Sequence, residues 1–122
     1  MLTVTTDEQA GIAVLEPHGA LSKEDFERAA TMIDPLIDKS QRLNGLVIHT
    51  KDFPGWDSFA ALSSHLKFVR DHHKKISRIA LCTDSVIGNF AKSIAPHFVA
   101  ADIRVFAFEE FDRAKTWVTE QA

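Results

Sequence analysis

The chain has 122 residues, a size typical of one domain, and 45% of them are hydrophobic while 25% are charged. This composition is that of a globular protein and excludes a disordered chain. No apolar run exceeds four residues, whereas a membrane-spanning helix needs about 20, and the net charge of −3 gives no general attraction to nucleic acid. The single cysteine excludes an internal disulfide and a multi-cysteine zinc site. We therefore expect one cytoplasmic domain over residues 1–122, with no metal or other cofactor.

Apolar and polar residues alternate on both sides of Gly11, which predicts two short strands joined by a turn. Ser22 and Asp25 have the spacing of a helix N-cap, and Pro35 predicts a kink or break in the helix that follows. Further along, strand-like and helix-like periodicities alternate to the end of the chain. The predicted strands after the hairpin are Leu46–Ile48, Ile76–Cys82 and Ile103–Phe108, and the predicted helices begin near Ser22, Ser58, Ser85 and Glu109.

The predicted element order is β-β-α-β-α-β-α-β-α. Strands that alternate with helices form mostly parallel sheets with right-handed crossovers, and the opening hairpin adds an antiparallel edge. We therefore predict an α/β fold with a mixed, mostly parallel sheet of four to five strands and four helices. In such sheets ligands bind outside the carboxyl ends of the strands.

The segment from His49 to Phe59 lies at such a strand end and is the most informative part of the sequence. Phe53 and Trp56 either seat the next helix or form one wall of an apolar pocket or membrane-facing flap. His49 is either a buried, hydrogen-bonded side chain or a donor or base in that pocket. Ser58 is either a helix N-cap or a phosphorylation site at a helix N-terminus.

The second predicted helix carries two apolar stripes. The stripe of Phe59, Leu62, Leu66 and Val69 is expected to be the inner face of this helix. The opposite stripe then places Phe68 towards solvent unless a partner subunit (a homodimer is one option), a neighbouring loop or a membrane surface covers it. Basic residues around this stripe predict either a solvated surface or attraction to anionic headgroups or an acidic partner: Lys67, Arg70, Lys74, Lys75 and Arg78. His65, His72 and His73 lack a carboxylate at ligand spacing, so no metal site is predicted.

A third predicted helix presents Phe90, Ile94 and Phe98 on one face, with Pro96 near its end. We expect these residues to line a nonpolar pocket, with this helix as a movable lid.

Cys82 is expected to be a small buried hydrophobe rather than a reactive thiol. The chain has no glycine-rich phosphate loop, no G-x-S-x-G and no H-E-x-x-H motif, and we therefore expect no enzymatic activity.

Three segments, together with the element order, resemble the SpoIIAA-like family of small bacterial proteins: residues 53–56, residues 90–98, and residues 105–117 with the sequence Val-Phe and then Glu-Glu-Phe-Asp-Arg-Ala-Lys-Thr-Trp. The resemblance covers nearly the whole chain. It implies a fold similar to the STAS domain of anti-sigma-factor antagonists and to lipid-carrying CRAL-TRIO domains.

The resemblance to CRAL-TRIO domains favours a non-enzymatic module that binds a nonpolar small molecule or lipid, with peripheral membrane contact. The resemblance to STAS antagonists suggests the alternative, a protein-interaction switch controlled by phosphorylation of Ser58. Those antagonists carry an Asp-Ser-x-Gly motif, and here Asp57 and Ser58 match it while Ala60 replaces the glycine. Phe53, Trp56, Phe90, Ile94, Phe98 and His49 are the predicted ligand-binding residues.

Overall fold

The computed structural model describes residues 1–52, 55–84 and 102–120. Within these ranges the chain forms five strands and three α-helices, in the predicted order. The strands are β1 (Leu2–Asp7), β2 (Ile12–Pro17), β3 (Leu43–His49), β4 (Ile76–Cys82) and β5 (Asp102–Phe106), and the helices are α1 (Lys23–Ser40), α2 (Phe59–His72) and α3 (Phe111–Thr119). The helix predicted to begin near Ser85 lies outside the described residues.

The five strands form one mixed sheet in the order β1-β2-β3-β4-β5. β1 and β2 pair antiparallel as the predicted hairpin, whereas β2, β3, β4 and β5 pair parallel to their neighbours. Parallel neighbours place the carboxyl ends of β2 to β5 at one edge of the sheet. This edge holds His49 and Cys82, which are register partners at the ends of β3 and β4.

Two apolar layers sandwich the sheet. On one face α1 and α2 cover a core that includes Leu15, Phe26, Ile33, Leu46 and Phe68. On the other face α3 covers a second core that includes Val47, Ala80, Cys82, Ala114 and Val118. The strands supply both cores because alternate residues point to opposite faces.

The N-terminus of α1 is fixed by a buried carboxylate. Ser22 is the predicted N-cap and forms a capping box with Asp25, in which each side chain accepts a hydrogen bond from the other residue's backbone N–H. Asp25 also accepts from the backbone N–H of Leu2 at 3.1 Å and pairs with Arg28. Burial alone would raise the pKa of Asp25, but the Ser22 and Leu2 hydrogen bonds and the N-terminal ammonium charge hold it below its ordinary value of 3.8. The carboxylate therefore ties the start of β1 to the start of α1.

The break predicted in the first helix does not occur. Pro35 lies inside α1, which continues to Ser40. Pro35 and Thr31 are both exposed, so water can satisfy the Thr31 carbonyl that loses its helical donor. The proline therefore costs less here than it would on the face that packs against the core.

The predicted orientation of the second helix is wrong. Phe68 is buried against Phe26 and His72, with 9% of its surface exposed, whereas Phe59 and Leu66 are 81% and 63% exposed. The buried face of α2 is thus the stripe that includes histidines, because hydrogen bonds satisfy the buried polar atoms and remove the penalty for burying them. Phe68 is therefore not part of a solvent-facing surface for a membrane or partner.

α3 packs closely on the sheet because Gly45 in β3 has no side chain. A Cβ at Gly45 would lie 2.3 Å from Cβ of Val118, which is far inside van der Waals contact. The absence of a side chain at Gly45 therefore lets Val118 and Ala114 of α3 pack directly against the sheet. In the described ranges, no helix has the length and apolar character needed to cross a membrane.

Candidate functional site

His49 is clamped at the carboxyl edge of the sheet. Its ring lies between Phe108 and Phe111, with centroids 4.4 and 4.2 Å away and ring planes within 11° of parallel. Its Nδ1 lies 3.1 Å from a carboxylate oxygen of Glu16, and its Nε2 lies 3.2 Å from the Phe108 carbonyl oxygen. Only 14% of the side chain is exposed. The hydrogen-bonded interpretation is thus confirmed, and His49 fastens the start of α3 to β2 and β3.

Cys82 lies beside His49, and its thiol is in an environment that suppresses nucleophilic reactivity. Its thiol is fully buried and lies within hydrogen-bonding distance of the Ala107 and Phe108 carbonyl oxygens. Burial raises the pKa of Cys82 to about 11, and the negative charges of Glu110 and Asp84 add to the effect. A thiolate is the nucleophilic form of cysteine, so the interpretation as a small buried hydrophobe is confirmed.

Trp56 lies on the other face of the sheet from His49. It forms a β-bridge with Leu21 before α2 begins, and its indole N–H donates to Nδ1 of His65 at 3.1 Å. Trp56 as a whole is 37% exposed. His49 contacts α3 whereas Trp56 contacts α2, so the two predicted ligand-binding residues do not share a pocket. Phe53, Phe90, Ile94 and Phe98, the other four, lie outside the described residues.

A row of aromatic rings continues from Trp56 along the seam between α1 and α2. His65 stacks on Phe26 at 4.8 Å, and Phe68 stacks on His72 at 4.2 Å. Burial lowers the pKa of His65, which keeps its ring neutral and lets Nδ1 accept the Trp56 N–H. The proton of neutral His65 then lies on Nε2.

Three rings of this row separate two spaces of different character. An outer groove between α1 and α2 has a volume of about 610 Å³ and is lined by charged side chains, including Lys23, Glu27, Asp34, Lys67 and Lys75. An inner cavity of about 80 Å³ lies between the helices and the sheet and is lined mainly by apolar side chains, including Leu15, Leu46, Ile48, Val69 and Ile79. Phe26, Phe68 and His72 line both spaces.

The exposed side of α2 forms an apolar stripe. Phe59 and Leu66 are exposed, and Leu62 and Val69 on the same side of the helix are half-buried. Half-buried residues of β4 and β5 extend apolar character over the sheet face that α2 also covers: Leu81, Ile103 and Val105. Val69 also lines the inner cavity. The term α2 stripe is used below for Phe59, Leu62, Leu66 and Val69.

The basic residues predicted near this helix separate into two groups. Lys67, Lys74 and Lys75 are exposed, as is Arg70, which pairs with Asp71. Arg78 instead lies on the α3 face, where its guanidinium stacks on Trp117 and donates to the backbone carbonyl at the end of α3. Arg78 is therefore not part of the basic surface of α2.

Ser58 is the N-cap of α2. Its hydroxyl oxygen accepts a hydrogen bond from the Ala61 backbone N–H at 3.1 Å, and the residue is exposed. The N-cap interpretation is confirmed, whereas phosphorylation stays a prediction. Among the described residues no group of three or more His, Cys, Asp or Glu side chains is placed to hold a metal ion.

The family model described as SpoIIAA-like matches residues 12–119. The chain belongs to the SpoIIAA-like family. Its fold is similar to the crystal structure of an uncharacterized protein of the DUF3478 family with a SpoIIAA-like fold from Shewanella loihica PV-4. That similarity has a TM-score of 0.73 at 19% identity and covers 97% of this chain and 92% of the other. No curated protein matches the sequence.

Membership confirms the resemblance found in the sequence and the α/β fold it implied. Sequence reasoning missed the seam of Phe26, Phe68 and His72, because it directed Phe68 and His72 outward. A signal was present in the spacing, since His65, Phe68 and His72 recur at the i, i+3, i+7 interval of one helix face. The partner of His72 is Asp34, 38 residues away on α1, and no local pattern reveals that pairing.

Proposed function

We propose that this SpoIIAA-like protein is a non-enzymatic binding module for a nonpolar small molecule or lipid. The exposed α2 stripe carries the proposal. Fully burying one large apolar side chain contributes about 1.5–3 kcal/mol. A ligand that covered both Phe59, which is 81% exposed, and Leu66, which is 63% exposed, would therefore gain about 3 kcal/mol. The stripe borders the inner cavity through Val69, which gives the ligand an apolar surface beyond the helix.

Binding of a fluorescent fatty acid, measured by titration and by displacement with unlabelled lipids, tests this proposal. Phe59→Ser and Leu66→Ser should each weaken binding about tenfold, because each removes over 1 kcal/mol of apolar contact. Met32→Ser is the matched control, since Met32 is a partly exposed apolar residue of α1 away from the stripe. Saturable binding that both stripe variants retain unchanged, or no saturable binding by the wild type, would contradict the proposal.

We also propose peripheral contact with anionic membranes. The α2 helix presents exposed apolar residues and an exposed basic group, Lys67, Arg70, Lys74 and Lys75, close together. Each such charge near an anionic surface is worth about 1 kcal/mol, and salt screens the attraction.

Vesicle binding tests the membrane contact. A Trp117→Phe variant leaves Trp56 as the single tryptophan, so its fluorescence reports on the α2 side alone. We expect quenching by brominated lipid in vesicles that contain phosphatidylserine, and loss of quenching at high salt or in Lys74→Glu/Lys75→Glu. Equal quenching with purely zwitterionic vesicles would refute an electrostatic contribution.

The proposed module has no catalytic role, and the chemistry of the carboxyl edge supports this. Cys82 keeps its proton at neutral pH, and both ring nitrogens of His49 face acceptors within the protein. Neither side chain offers a free nucleophile or base to a substrate. Hydrolysis of ester or phosphate substrates that His49→Gln abolished would contradict this part of the proposal.

The alternative is a protein-interaction switch at Ser58, and the exposure of Ser58 at the start of a 14-residue helix favours it. A phosphate there would be stabilised by the free N–H groups and dipole of α2. Mass spectrometry of the protein from its native cells should then find phosphate on Ser58. An unmodified Ser58 under all growth conditions, with Ser63 as the comparison site on the same helix, would reject the switch.

A homodimer stays a prediction. The reason given for it, a solvent-facing Phe68, no longer applies because Phe68 is buried. Any dimer would have to use a different surface, and the α2 stripe is the exposed apolar one among the described helices. A native mass spectrum reports the oligomeric state and the mass of any carried ligand in the same measurement.

A further inference from the structure

His72 is one of the three side chains that line both the outer groove and the inner cavity. Phe26 and Phe68 pack within the core of the α1 face, whereas His72 is the last residue of α2. Its ring stacks on Phe68 at 4.2 Å and is 7% exposed. A rotation of the His72 side chain would remove one of the three rings that close the cavity.

Two hydrogen-bonding contacts hold His72 in the closed position. Its Nε2 lies 2.7 Å from Oδ1 of Asp34 on α1, and its Nδ1 lies 2.8 Å from the Phe68 carbonyl oxygen. Both oxygens are acceptors, and the contact with Asp34 ties the end of α2 to α1.

The groove outside this wall suits an anionic head group. Lys67 and Lys75 line it and have no ion pair among the described residues, whereas Lys23 in the same groove pairs with Glu27. The groove carboxylates Glu27, Asp34 and Asp71 pair with Lys23, His72 and Arg70, whereas Asp38 has no ion pair among the described residues. Two lysines without an ion pair thus face one such carboxylate, which leaves an excess of positive charge close to an apolar cavity.

We propose that His72 gates the inner cavity and that the His72–Asp34 pair latches the gate against entry of an anionic amphiphile, such as a fatty acid. Its carboxylate lies with Lys67 and Lys75 in the outer groove, and its apolar tail passes Phe68 into the cavity and continues past Val69 to the α2 stripe. This inference rests on the proposed binding of nonpolar molecules and adds to it an entry route and a control.

The volumes require the wall to open before this ligand can bind. The inner cavity of about 80 Å³ is below the 300–1,000 Å³ typical of ligand pockets, whereas the outer groove of about 610 Å³ lies within that range. Outward movement of the His72 ring joins the two spaces. The joined site is then charged at its mouth and apolar at its base, as an amphiphile requires.

The variant Asp34→Asn tests the latch because it removes the charge that holds His72 while it keeps the size of the side chain. Glu24→Gln is the control, since Glu24 is an exposed carboxylate of α1 that does not line the groove. The ligand-free proteins are compared by amide hydrogen exchange along α2. The association rate of a fluorescent fatty acid is measured by stopped flow.

Asp34→Asn should raise both the exchange of amides at the end of α2 and the association rate about fivefold, as expected when a charge-assisted hydrogen bond becomes a neutral one. His72→Phe, which keeps a ring on Phe68 but lacks both nitrogens, should act in the same way. Glu24→Gln should behave like the wild type.

Two results would overturn the gate. If the wild type binds fatty acid but Asp34→Asn and His72→Phe leave its association rate unchanged, the tail enters elsewhere and the proposed function survives. If exchange in Asp34→Asn equals that in Glu24→Gln, the pair is not a latch. Absence of any fatty-acid binding by the wild type would instead reject the proposed function, and the exchange experiment would still report on the latch.

Discussion

Phe68 and Phe59 lie on opposite sides of α2, so substituting the first should affect stability and substituting the second should affect ligand binding. Phe68 is 9% exposed and packs in the core of the α1 face, whereas Phe59 is 81% exposed in the α2 stripe. We predict that Phe68→Ala lowers the free energy of unfolding strongly and that Phe59→Ala leaves it nearly unchanged. Phe59→Ala should instead weaken the binding of nonpolar ligands.

The magnitude follows from the surroundings of each ring. Truncating a buried phenylalanine to alanine costs about 3–5 kcal/mol, from lost transfer energy and from the cavity left behind. Phe68 already borders the inner cavity, so its ring has fewer atoms around it than in a filled core, and the lower end applies. We therefore expect about 3 kcal/mol for Phe68→Ala, and a change within about 0.5 kcal/mol for Phe59→Ala.

Urea unfolding followed by circular dichroism measures both changes, with the midpoint compared at unchanged slope. A destabilisation by Phe59→Ala as large as that by Phe68→Ala would refute the inferred orientation of α2. A loss of stability by Phe59→Ala only in the presence of fatty acid would instead show that bound ligand covers the ring, because a ligand stabilises only through contacts that it makes.

Three further variants or conditions test other parts of the structure. Cys82 should react with a thiol reagent at pH 8 at least 100-fold more slowly in the folded protein than in denaturant, because a pKa of about 11 and burial both suppress the thiolate; comparable rates would contradict this. The pKa of Asp25 is lowered in the folded state, so its carboxylate should stabilise the fold above pH 3.8, and this contribution should be lost as the pH falls through the folded pKa. The variant Asp25→Asn should therefore be less stable than the wild type by about 2 kcal/mol at pH 7. It should also lose less stability than the wild type when the pH is lowered. Gly45→Ala should cost about 3 kcal/mol or more and release α3, because its Cβ would overlap Val118; wild-type stability would show that α3 is not held at this distance.

Elements with local signals were predictable from the sequence. The N-cap at Ser22 appears in the structure as predicted. The strand Ile76–Cys82 has the predicted bounds, although Ser77 and Arg78 interrupt its apolar residues. The alternation of strand and helix patterns predicted an α/β fold with a mixed sheet, which the structure shows.

The orientation of α2 was not predictable from local pattern because its two stripes are similar in apolar content. The predicted orientation placed the stripe with His65 and His72 outside, where an unpaired histidine has no burial cost. The cost is removed by Trp56 and Asp34, which reach these rings from a loop and from another helix. Pairings over such distances depend on how α1 packs against α2, and a single sequence does not contain that geometry.

The inverted orientation of α2 changes what its residues mean for function. With His65, Phe68 and His72 inside, the His72–Asp34 contact joins α2 to α1 and the Trp56–His65 hydrogen bond joins α2 to the segment before it, while the aliphatic Leu66 faces outward. Directional contacts break over a small displacement, whereas apolar contacts are non-directional and tolerate sliding. A seam of this kind favours opening by rotation of a side chain rather than gradual loosening of the core. Ligand entry along it would therefore be controlled by a few named atoms, those of Asp34 and His72, and would leave the remaining α1 core packed.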